Sequence, residues 1–408
     1  MKKIIVCGGR PLNGKISVGG SKNAALPILF ACILTNGISK IVNMPDIGDV
    51  RVAIEIIRAF GAKVDRFGDT VYIDTRNLSY VRPNPEHVSS IRASTYLIGS
   101  CLSRFGECDI LPFGGCNFSL RPIDMHIDAC ISLGAQLDGE KIVAPRLRGA
   151  EINFNKASVG ATVNAILLAA SAEGQTVIDG CAIEPHIDAL IDFLNSCGAQ
   201  IVRECRRISI VGKRLHGGNT RIIGDMIEAG SYLALGLLCG GDLKALDSPI
   251  EDMHSVFDAF LRLGASVVAE AGELSVKMIR SKPLFISASP YPGFPTDLQP
   301  IFAPLMAKKC GGEIIDEVWP ERFGYLHSLS DLGIRWNLNG NRATIYFSEI
   351  HCGKTAAPDL RGGMACLMAA LCSSGQSEIY SAEVILRGYE NLEQKLCAIG
   401  ADIKIEDI

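Results

Sequence analysis

One short pattern recurs six times along this chain and constrains its fold more than any other feature. A segment with helical periodicity ends in an apolar residue and then glycine, and a strand-like segment follows. Six glycines, spaced 64 to 73 residues apart, occupy this position: Gly61, Gly134, Gly198, Gly264, Gly333 and Gly400. Each suits the C′ position of a helix, where a left-handed backbone ends the helix before a strand. The pattern therefore predicts a chain of six repeated units.

A second helical pattern alternates with the first. It is an apolar, alanine-rich segment that ends at glycine, as in residues 25–37, 96–106, 165–174 and 364–375. A helix that is apolar nearly all round belongs in a core, whereas the charged-faced helices of the first pattern belong outside. We therefore predict an α/β fold of two similar domains, each made of three βαβαββ-type units around buried helices. The division is expected near Gly224-Asp225.

Composition excludes several classes of protein. The chain has 408 residues, of which 48% are hydrophobic and 21% charged, with a formal net charge of −4. This apolar content is ample for two cores and excludes a disordered protein. A mildly acidic chain lacks the excess of positive charge that binds nucleic acid or an anionic membrane surface. The 15 cysteines include no Cys-x-x-Cys pair, which predicts free thiols in a reducing cytoplasm.

Three further features bear on localisation and cofactors. The N-terminal segment is too short for a signal peptide, and the longest apolar run, residues 25–34, is too short to span a membrane. The histidines and cysteines lack the spacing of metal ligands. We expect a soluble, cytoplasmic protein without a metal or cofactor, which is a monomer or a weak homo-oligomer.

The densest group of chemically useful residues is the stretch 113–126. Two glycines precede Cys116, so its thiol is expected on a mobile loop outside any core strand. Arg121-Pro122 then stiffens the chain. In the segment 123–126 polar and apolar residues alternate, which predicts a short extended run with its polar pair on one side.

Basic residues recur at the edges of the repeated units. Five arginines share this property: Arg92, Arg121, Arg322, Arg361 and Arg387. In a chain of net negative charge they predict a cleft for a substrate with several phosphate or carboxylate groups. Such ligands commonly bind between domains. Lys22 follows Gly19-Gly20-Ser21 at a predicted helix N-terminus, which also favours an anion.

Asp297 lies between two stiff turns, directly before a predicted buried helix. An aspartate in this position can be the N-cap of the helix. It can also be a general base for a substrate hydroxyl, held by its rigid flanks. The residues alone leave both roles open.

These motifs together resemble one enzyme family, the UDP-N-acetylglucosamine enolpyruvyl transferases. The resemblance covers residues 8–390, and six motifs carry it: Gly20-Ser21-Lys22-Asn23, Gly114-Gly115-Cys116, Arg121-Pro122-Ile123-Asp124-Met125-His126, Ser158-Val159-Gly160-Ala161-Thr162, Phe294-Pro295-Thr296-Asp297 and Asp359-Leu360-Arg361. It implies an inside-out α/β barrel in each domain, with the N-terminal strand belonging to the second domain. The implied division is 21–224 for domain I, and 1–20 with 225–408 for domain II.

The resemblance implies transfer of the enolpyruvyl group of phosphoenolpyruvate to the 3-hydroxyl of UDP-N-acetylglucosamine, with release of phosphate, in peptidoglycan synthesis. Its catalytic residues would be Asp297 as the base, Cys116 as the general acid, and Lys22. Phosphoenolpyruvate would be held by Lys22, Arg92, Arg121, Arg322, Arg361 and Arg387. UDP-N-acetylglucosamine would be held by Asn23, Arg92, Arg121, Pro122, Ile123, Asp124, Met125, Lys156, Ser158, Val159, Gly160, Asp297 and Val318. Glu184 and Asp225 match family positions near the cleft.

The chain departs from the family pattern at four places. Phe113 replaces a proline before the glycine pair, and Asn117-Phe118-Ser119 replaces a small residue, isoleucine and glycine after the cysteine. Met226 stands where the family has arginine, and Tyr325 where it has histidine. The loss of a loop glycine is expected to stiffen the cysteine loop.

Four alternatives compete with this interpretation. A shikimate enolpyruvyl transferase would carry Ser-Lys-Ser and a Gly-Thr-Ala-x-Arg-Pro loop, which are absent. A paralogous enolpyruvyl transferase could act on another UDP-sugar or on a nucleoside. A non-catalytic UDP-sugar sensor would have no need of Lys22, Cys116 and Asp297 together. An RNA-end-processing enzyme would need a basic surface, which the composition lacks.

Overall fold

The computed structural model describes residues 1–115, 122–270 and 272–408. The described residues form two compact units. Residues 20–115 and 122–223 make up the first, called here the N-terminal unit. Residues 1–19 and 224–408 make up the second, called here the C-terminal unit. The division into functional domains at 21–224 and at 1–20 with 225–408 stays a prediction.

The α-helices assigned in the described residues are α1 Lys22–Ala31, α2 Gly48–Ala59, α3 Pro85–Ser90, α4 Leu97–Phe105, α5 Asp124–Ser132, α6 Val159–Ala169, α7 Pro185–Ser196, α8 Met226–Cys239, α9 His254–Leu263, α10 Gln299–Lys309, α11 Tyr325–Ser330, α12 Leu360–Cys372 and α13 Leu392–Ala398. Short 3₁₀ turns add Cys32–Leu34, Arg92–Tyr96, Ile250–Asp252 and Ala382–Arg387. Among these described segments no helix is long and apolar enough to cross a membrane.

The strands assigned in the same residues are β1 Lys2–Gly8, β2 Gly14–Ser17, β3 Thr35–Asn36, β4 Ile38–Val42, β5 Lys63–Phe67, β6 Thr70–Asp74, β7 Glu107–Asp109, β8 Gln136–Asp138, β9 Lys141–Val143, β10 Glu151–Asn153, β11 Gln175–Asp179, β12 Gln200–Glu204, β13 Arg207–Val211, β14 Leu215–His216, β15 Asn219–Arg221, β16 Leu243–Leu246, β17 Ala265–Glu270, β18 Glu273–Met278, β19 Leu284–Ala288, β20 Gly312–Asp316, β21 Trp336–Asn339, β22 Arg342–Ile345, β23 Lys354–Ala356, β24 Gly375–Tyr380 and β25 Asp402–Asp407.

Each unit is built around the inner helices that the sequence predicts. In the N-terminal unit these are α1, α4 and α6, and in the C-terminal unit α8, α10 and α12. Nearly every residue of α8 and α12 is buried. Since both sequences are apolar nearly all round, with charged residues only in the first turn, most of the circumference of each helix is shielded from water. The predicted buried helices are confirmed.

The predicted repeat is confirmed as well. The six repeat glycines have φ between 88° and 101°, so each occupies the left-handed conformation that ends an outer helix. The unit around α6 has the order β10, α6, β11, α7, β12, β13. Its sheet pairs β10 parallel with β11 and β13 antiparallel with both β11 and β12.

The N-terminus completes two sheets of the C-terminal unit. Strand β1 pairs antiparallel with both β24 and β25. Strand β2 pairs parallel with β16. In the N-terminal unit, β15 pairs parallel with β4 and so completes the sheet of the first repeat. Within the described residues, the chain therefore passes from one unit to the other after residue 19 and again after residue 223.

The predicted extended run at residues 123–126 is wrong, because helix α5 begins at Asp124. The Ile123 carbonyl accepts hydrogen bonds from the N–H groups of His126 and Ile127, both at 3.0 Å. An aspartate in the first turn also interacts favourably with the helix dipole. Four alternating residues are too few to separate a strand from a helix start.

Candidate active site

An aspartate held between two buried arginines forms the centre of the site in the C-terminal unit. Arg322 Nη1 donates to Asp297 Oδ1 at 2.7 Å. Arg361 donates to Asp297 Oδ2 from Nη2 at 3.2 Å and from Nε at 3.3 Å. Arg322 is 5% exposed and Arg361 is 2% exposed, while the Asp297 side chain is 26% exposed. Two buried cations thus share one partly open carboxylate.

Asp297 is not a helix N-cap, because α10 begins at Gln299 with Leu298 in the cap position. Of the two roles that the sequence left open, the capping role is wrong. The general-base role stays a prediction. Both oxygens of the carboxylate accept hydrogen bonds from the guanidinium groups of Arg322 and Arg361.

Arg322 is oriented by a chain of buried polar groups. Its Nη1 also donates to Thr296 Oγ1 at 3.2 Å, and that hydroxyl donates to Asp316 Oδ2 at 2.6 Å. Asp316, at the end of β20, is fully buried, and burial raises the pKa of its carboxyl. Burial alone would lower the pKa of Arg322, but the carboxylates of Asp297 and Asp359 outweigh it and raise the pKa. Arg322 therefore stays charged in its buried position.

A second set of hydrogen bonds fixes the backbone of Arg322. The side chain of Gln299, in the first turn of α10, donates from Nε2 to the Arg322 carbonyl at 2.8 Å. Tyr325 donates its hydroxyl to Gln299 Oε1 at 2.6 Å. Tyr325, one of the departures from the family pattern, thus supports an arginine of the site indirectly through Gln299.

Arg361 lies in the first turn of α12, whose N-cap is Asp359. The Asp359 side chain accepts from the N–H groups of Arg361 and Gly362 at 2.9 and 3.1 Å. The ring of buried Tyr389 lies 5.3 Å from the guanidinium carbon of Arg361, a cation–π contact. Among the described residues no group accepts a hydrogen bond from Arg361 Nη1, which is buried.

The N-terminal unit contains a second group of predicted site residues. Lys22 is the first residue of α1, and its Nζ lies 3.7 Å from Asp49 Oδ2. Ser21 occupies the N-cap position, but its side chain makes no capping hydrogen bond. Its carbonyl instead accepts from the N–H of Ala25 at 2.8 Å. The Ser21 side chain therefore does not cap α1.

The N-terminus of α6 lies beside a buried histidine. Ser158 is the N-cap, and its Oγ accepts from Ala161 N at 3.3 Å. His126 is 4% exposed, and its Nδ1 lies 2.7 Å from Asn164 Nδ2. A Cβ atom added to Gly160 would lie 3.0 Å from His126 Nε2, so glycine is needed where the imidazole crosses the first turn.

The remaining predicted residues fall at element ends and loops. Arg92 begins one 3₁₀ turn and Arg387 ends another, and both are partly buried. Lys156 is exposed, two residues before the N-cap of α6. The N–H of Val318 donates to Asp316 Oδ1 at 2.9 Å. Other predicted positions lie around the starts of α1 and α5, where Pro122 and Asp124 are exposed and the rest are partly exposed: Asn23, Ile123 and Met125.

Two predicted site residues, Cys116 and Arg121, lie outside the described residues. Their roles stay predictions. Sequence reasoning missed several residues that orient the site: Thr296, Gln299, Asp316, Tyr389 and Asn164. Thr296 precedes Asp297 in the same motif, but the motif does not indicate that its hydroxyl joins Asp316 and Arg322. The other four residues act through contacts with residues distant in the chain, which no local sequence pattern indicates.

Comparisons with known proteins agree over the whole chain. The family model described as EPSP synthase (3-phosphoshikimate 1-carboxyvinyltransferase) matches residues 6–396. UDP-N-acetylglucosamine 1-carboxyvinyltransferase 3 of Caldanaerobacter subterraneus subsp. tengcongensis is 39% identical over 414 residues, covering 99% of each chain. UDP-N-acetylglucosamine 1-carboxyvinyltransferase 2 of Clostridium acetobutylicum is 39% identical over 419 residues, covering 100% of each chain.

Solved structures agree with this assignment. The crystal structure of the enolpyruvyl transferase NikO from Streptomyces tendae matches with a TM-score of 0.89 and 26% identity, over 99% of each chain. An EPSP synthase from Acinetobacter baumannii matches with a TM-score of 0.71 over 100% of each chain, and at 18% identity it supports the fold alone. The chain therefore belongs to the enolpyruvyl transferase family of EPSP synthase, and within it to the UDP-N-acetylglucosamine 1-carboxyvinyltransferases.

Proposed function

We propose that this protein transfers the enolpyruvyl group of phosphoenolpyruvate to the 3-hydroxyl of UDP-N-acetylglucosamine and releases phosphate. This reaction is the first committed step of peptidoglycan synthesis. Relatives that carry the name of this activity are 39% identical to the chain over nearly its full length. The observation that carries the proposal is the placement of Asp297 between two buried arginines.

Arg322 and Arg361 are proposed to hold the carboxylate of phosphoenolpyruvate. Both are almost fully buried, so each requires a nearby negative charge. Asp297 provides that charge in the present arrangement. A bound substrate carboxylate would provide it instead and would use the buried Nη1 donor of Arg361.

Substrate binding would then free the Asp297 carboxylate to act as a general base. A carboxylate shared by two guanidinium groups is a weak base, because both cations favour its ionised form. Once the substrate carboxylate competes for these donors, Asp297 can turn to the sugar 3-hydroxyl and accept its proton. The alkoxide oxygen attacks C2 of phosphoenolpyruvate, and C3 accepts a proton. Loss of phosphate and of a C3 proton then gives the enolpyruvyl ether.

The other roles rest on the family resemblance. Cys116 is proposed to protonate C3. Lys22, Arg121 and Arg387 are proposed to bind the phosphate group, and Arg92 to support them. The uracil is proposed to contact residues 121–125, and Val318 and Asn23 to contact the sugar. Lys156 and residues 158–160 are proposed to bind the diphosphate, since a helix N-terminus favours phosphate oxygens.

A second candidate function has a specific observation in its favour. NikO, an enolpyruvyl transferase, matches this chain with a TM-score of 0.89. That name specifies enolpyruvyl transfer and no acceptor, so transfer to another UDP-sugar or to a nucleoside is the second candidate. The identity to NikO, 26%, is lower than the 39% to the UDP-N-acetylglucosamine enzymes, which favours the first proposal.

Phosphate release from phosphoenolpyruvate tests the proposal. We expect release from the wild-type protein that requires UDP-N-acetylglucosamine, and no release from Asp297→Ala or Cys116→Ser. Asp258→Asn, in a surface ion pair with Arg262, is the matched control and should keep full activity. Binding of both substrates without phosphate release would refute the enzyme and favour a UDP-sugar sensor.

A further inference from the structure

Tyr325 stands where the family pattern has histidine, and its side chain is buried, with 1% exposed. It is the first residue of α11 and follows the turn that carries Arg322. Burial raises the pKa of its hydroxyl well above the ordinary value, with the carboxylates of Asp316 and Asp359 adding to the effect and Arg322 opposing it. The hydroxyl therefore keeps its proton near neutral pH and acts as a hydrogen-bond donor.

The hydrogen bonds that join Tyr325 to Arg322 have a fixed direction. The Arg322 carbonyl can only accept, so the amide of Gln299 turns its Nε2 toward it, at 2.8 Å. The Oε1 atom of Gln299 then faces the tyrosine, whose hydroxyl donates to it at 2.6 Å. Gln299 is fully buried, so loss of either bond would leave a buried polar atom unpaired. Arg322 lies in a turn between β20 and α11, where side-chain bonds of this kind hold the backbone in place.

Tyr325 also packs against the first turn of α12. A Cβ atom added to Gly362 would lie 2.6 Å from the Cβ of Tyr325, so glycine is needed for the two backbones to come this close. Arg361 directly precedes Gly362, and the carboxylate of Asp359 accepts from the N–H groups of both. Tyr325 thus touches the element that carries Arg361.

We propose that Tyr325 is a positioning residue for phosphoenolpyruvate, which holds Arg322 through Gln299 and supports the α12 turn beside Arg361, so that both guanidinium groups keep the spacing that one carboxylate requires. It acts through the two arginines and takes no part in the chemistry. The histidine of the family pattern has a shorter side chain, so the bond to Gln299 is tied to the tyrosine of this chain. The inference rests on the proposed function, which supplies the substrate carboxylate.

Steady-state kinetics of Tyr325→Phe separate positioning from a merely structural role. The substitution removes the hydroxyl and keeps the ring against α12. The KM for phosphoenolpyruvate should rise about 2- to 10-fold, the range for one hydrogen bond, and the KM for UDP-N-acetylglucosamine should stay the same. A variant that only folded less well would have less active enzyme and a lower apparent kcat, but unchanged KM values.

Tyr80→Phe is the matched control. It also loses a hydroxyl bond of 2.6 Å, to Asp109 Oδ2, but in the N-terminal unit, and it should keep both KM values. An unchanged KM for phosphoenolpyruvate in Tyr325→Phe, or equal increases for the two substrates, would overturn the inference and leave the proposed function intact.

A double-mutant cycle tests whether Tyr325 acts through Gln299. Gln299→Leu should raise the KM for phosphoenolpyruvate at least as much as Tyr325→Phe does. Because the two side chains act in one chain of hydrogen bonds, adding Tyr325→Phe to Gln299→Leu should raise it no further. Increases that multiply in the double variant would show that Tyr325 acts independently of Gln299 and would overturn the inference.

A measurement on the wild-type protein does not depend on the folding of any variant. Gln299 is one of six glutamines, and the other five are exposed. With nitrogen-15 in the glutamine side chains, NMR should therefore show one amide signal that exchanges slowly with solvent. This signal should shift when phosphoenolpyruvate is added to the protein with UDP-N-acetylglucosamine, while the other five stay in place. A missing or unresponsive protected signal would overturn the inference alone, whereas no phosphate release by the wild type would overturn the proposed function and the inference together.

Discussion

Replacing Asp297 by asparagine should destabilise the C-terminal unit and make its stability depend on phosphoenolpyruvate. The substitution keeps the shape of the side chain but removes the negative charge that faces Arg322 and Arg361, which are 5% and 2% exposed. Removing one partner of a buried ion pair costs about 3 to 5 kcal/mol. Since the Asp297 side chain is 26% exposed, water offsets part of this cost, and we expect about 3 kcal/mol.

Thermal unfolding with and without phosphoenolpyruvate measures this effect. For a unit of this size, a loss of about 3 kcal/mol lowers Tm by about 6 to 12 °C. In the proposed binding mode the carboxylate of phosphoenolpyruvate would contact the same arginines, so the ligand should raise the Tm of Asp297→Asn more than that of the wild type. The control Asp258→Asn breaks only an exposed ion pair and should change stability by less than about 1 kcal/mol. An unchanged Tm for Asp297→Asn, or equal stabilisation of both proteins by phosphoenolpyruvate, would refute the reasoning.

Three further predictions concern neighbouring groups. Arg361→Lys replaces two parallel N–H donors by a single ammonium group and should lower kcat/KM for phosphoenolpyruvate about 10- to 100-fold in steady-state kinetics. The KM for UDP-N-acetylglucosamine should change less, and changes of equal size in the two constants would contradict this prediction. Thr296→Val leaves Asp316 Oδ2 without its 2.6 Å bond and should cost about 1 to 3 kcal/mol in urea unfolding, against an unaffected Thr70→Val control. His126 takes up a proton near pH 6.5 in the unfolded protein but only near pH 4 in the folded protein. As the pH is lowered from 6.5 to 4, the free energy of unfolding of the wild type should therefore fall by up to about 3 kcal/mol more than that of His126→Gln. Parallel pH profiles for the two proteins would show that His126 is not held neutral.

The features that the sequence predicted correctly have local causes. The left-handed turn at Gly264, with φ of 92°, is marked locally by a glycine at the end of a helical pattern. The burial of α8 follows from a run that is apolar nearly all round. Both signals are contained in a dozen residues, so no knowledge of the tertiary structure is needed to find them.

The features that escaped prediction depend on partners far apart in the chain. The family resemblance implies that the N-terminal strand belongs to the second domain, but not which strands it pairs with. Strand β1 pairs with β24 and β25, more than 360 residues away, and a short apolar strand does not specify its partner. The hydroxyl of Thr296 joins Asp316 and Arg322, which are 20 and 26 residues distant, and such contacts leave no periodic pattern. Residues 123–126 fit both the two-residue period of a strand and the 3.6-residue period of a helix, so their pattern does not reveal that α5 begins at Asp124.

The product of the reaction tests the central claim most directly. Mass spectrometry of the nucleotide recovered after incubation with phosphoenolpyruvate and UDP-N-acetylglucosamine should show the enolpyruvyl ether, in amounts equal to the phosphate released. Parallel incubations with other UDP-sugars, with uridine nucleotides and with 3-phosphoshikimate should yield far less product. Formation of an enolpyruvyl ether with one of these acceptors and not with UDP-N-acetylglucosamine would contradict the account.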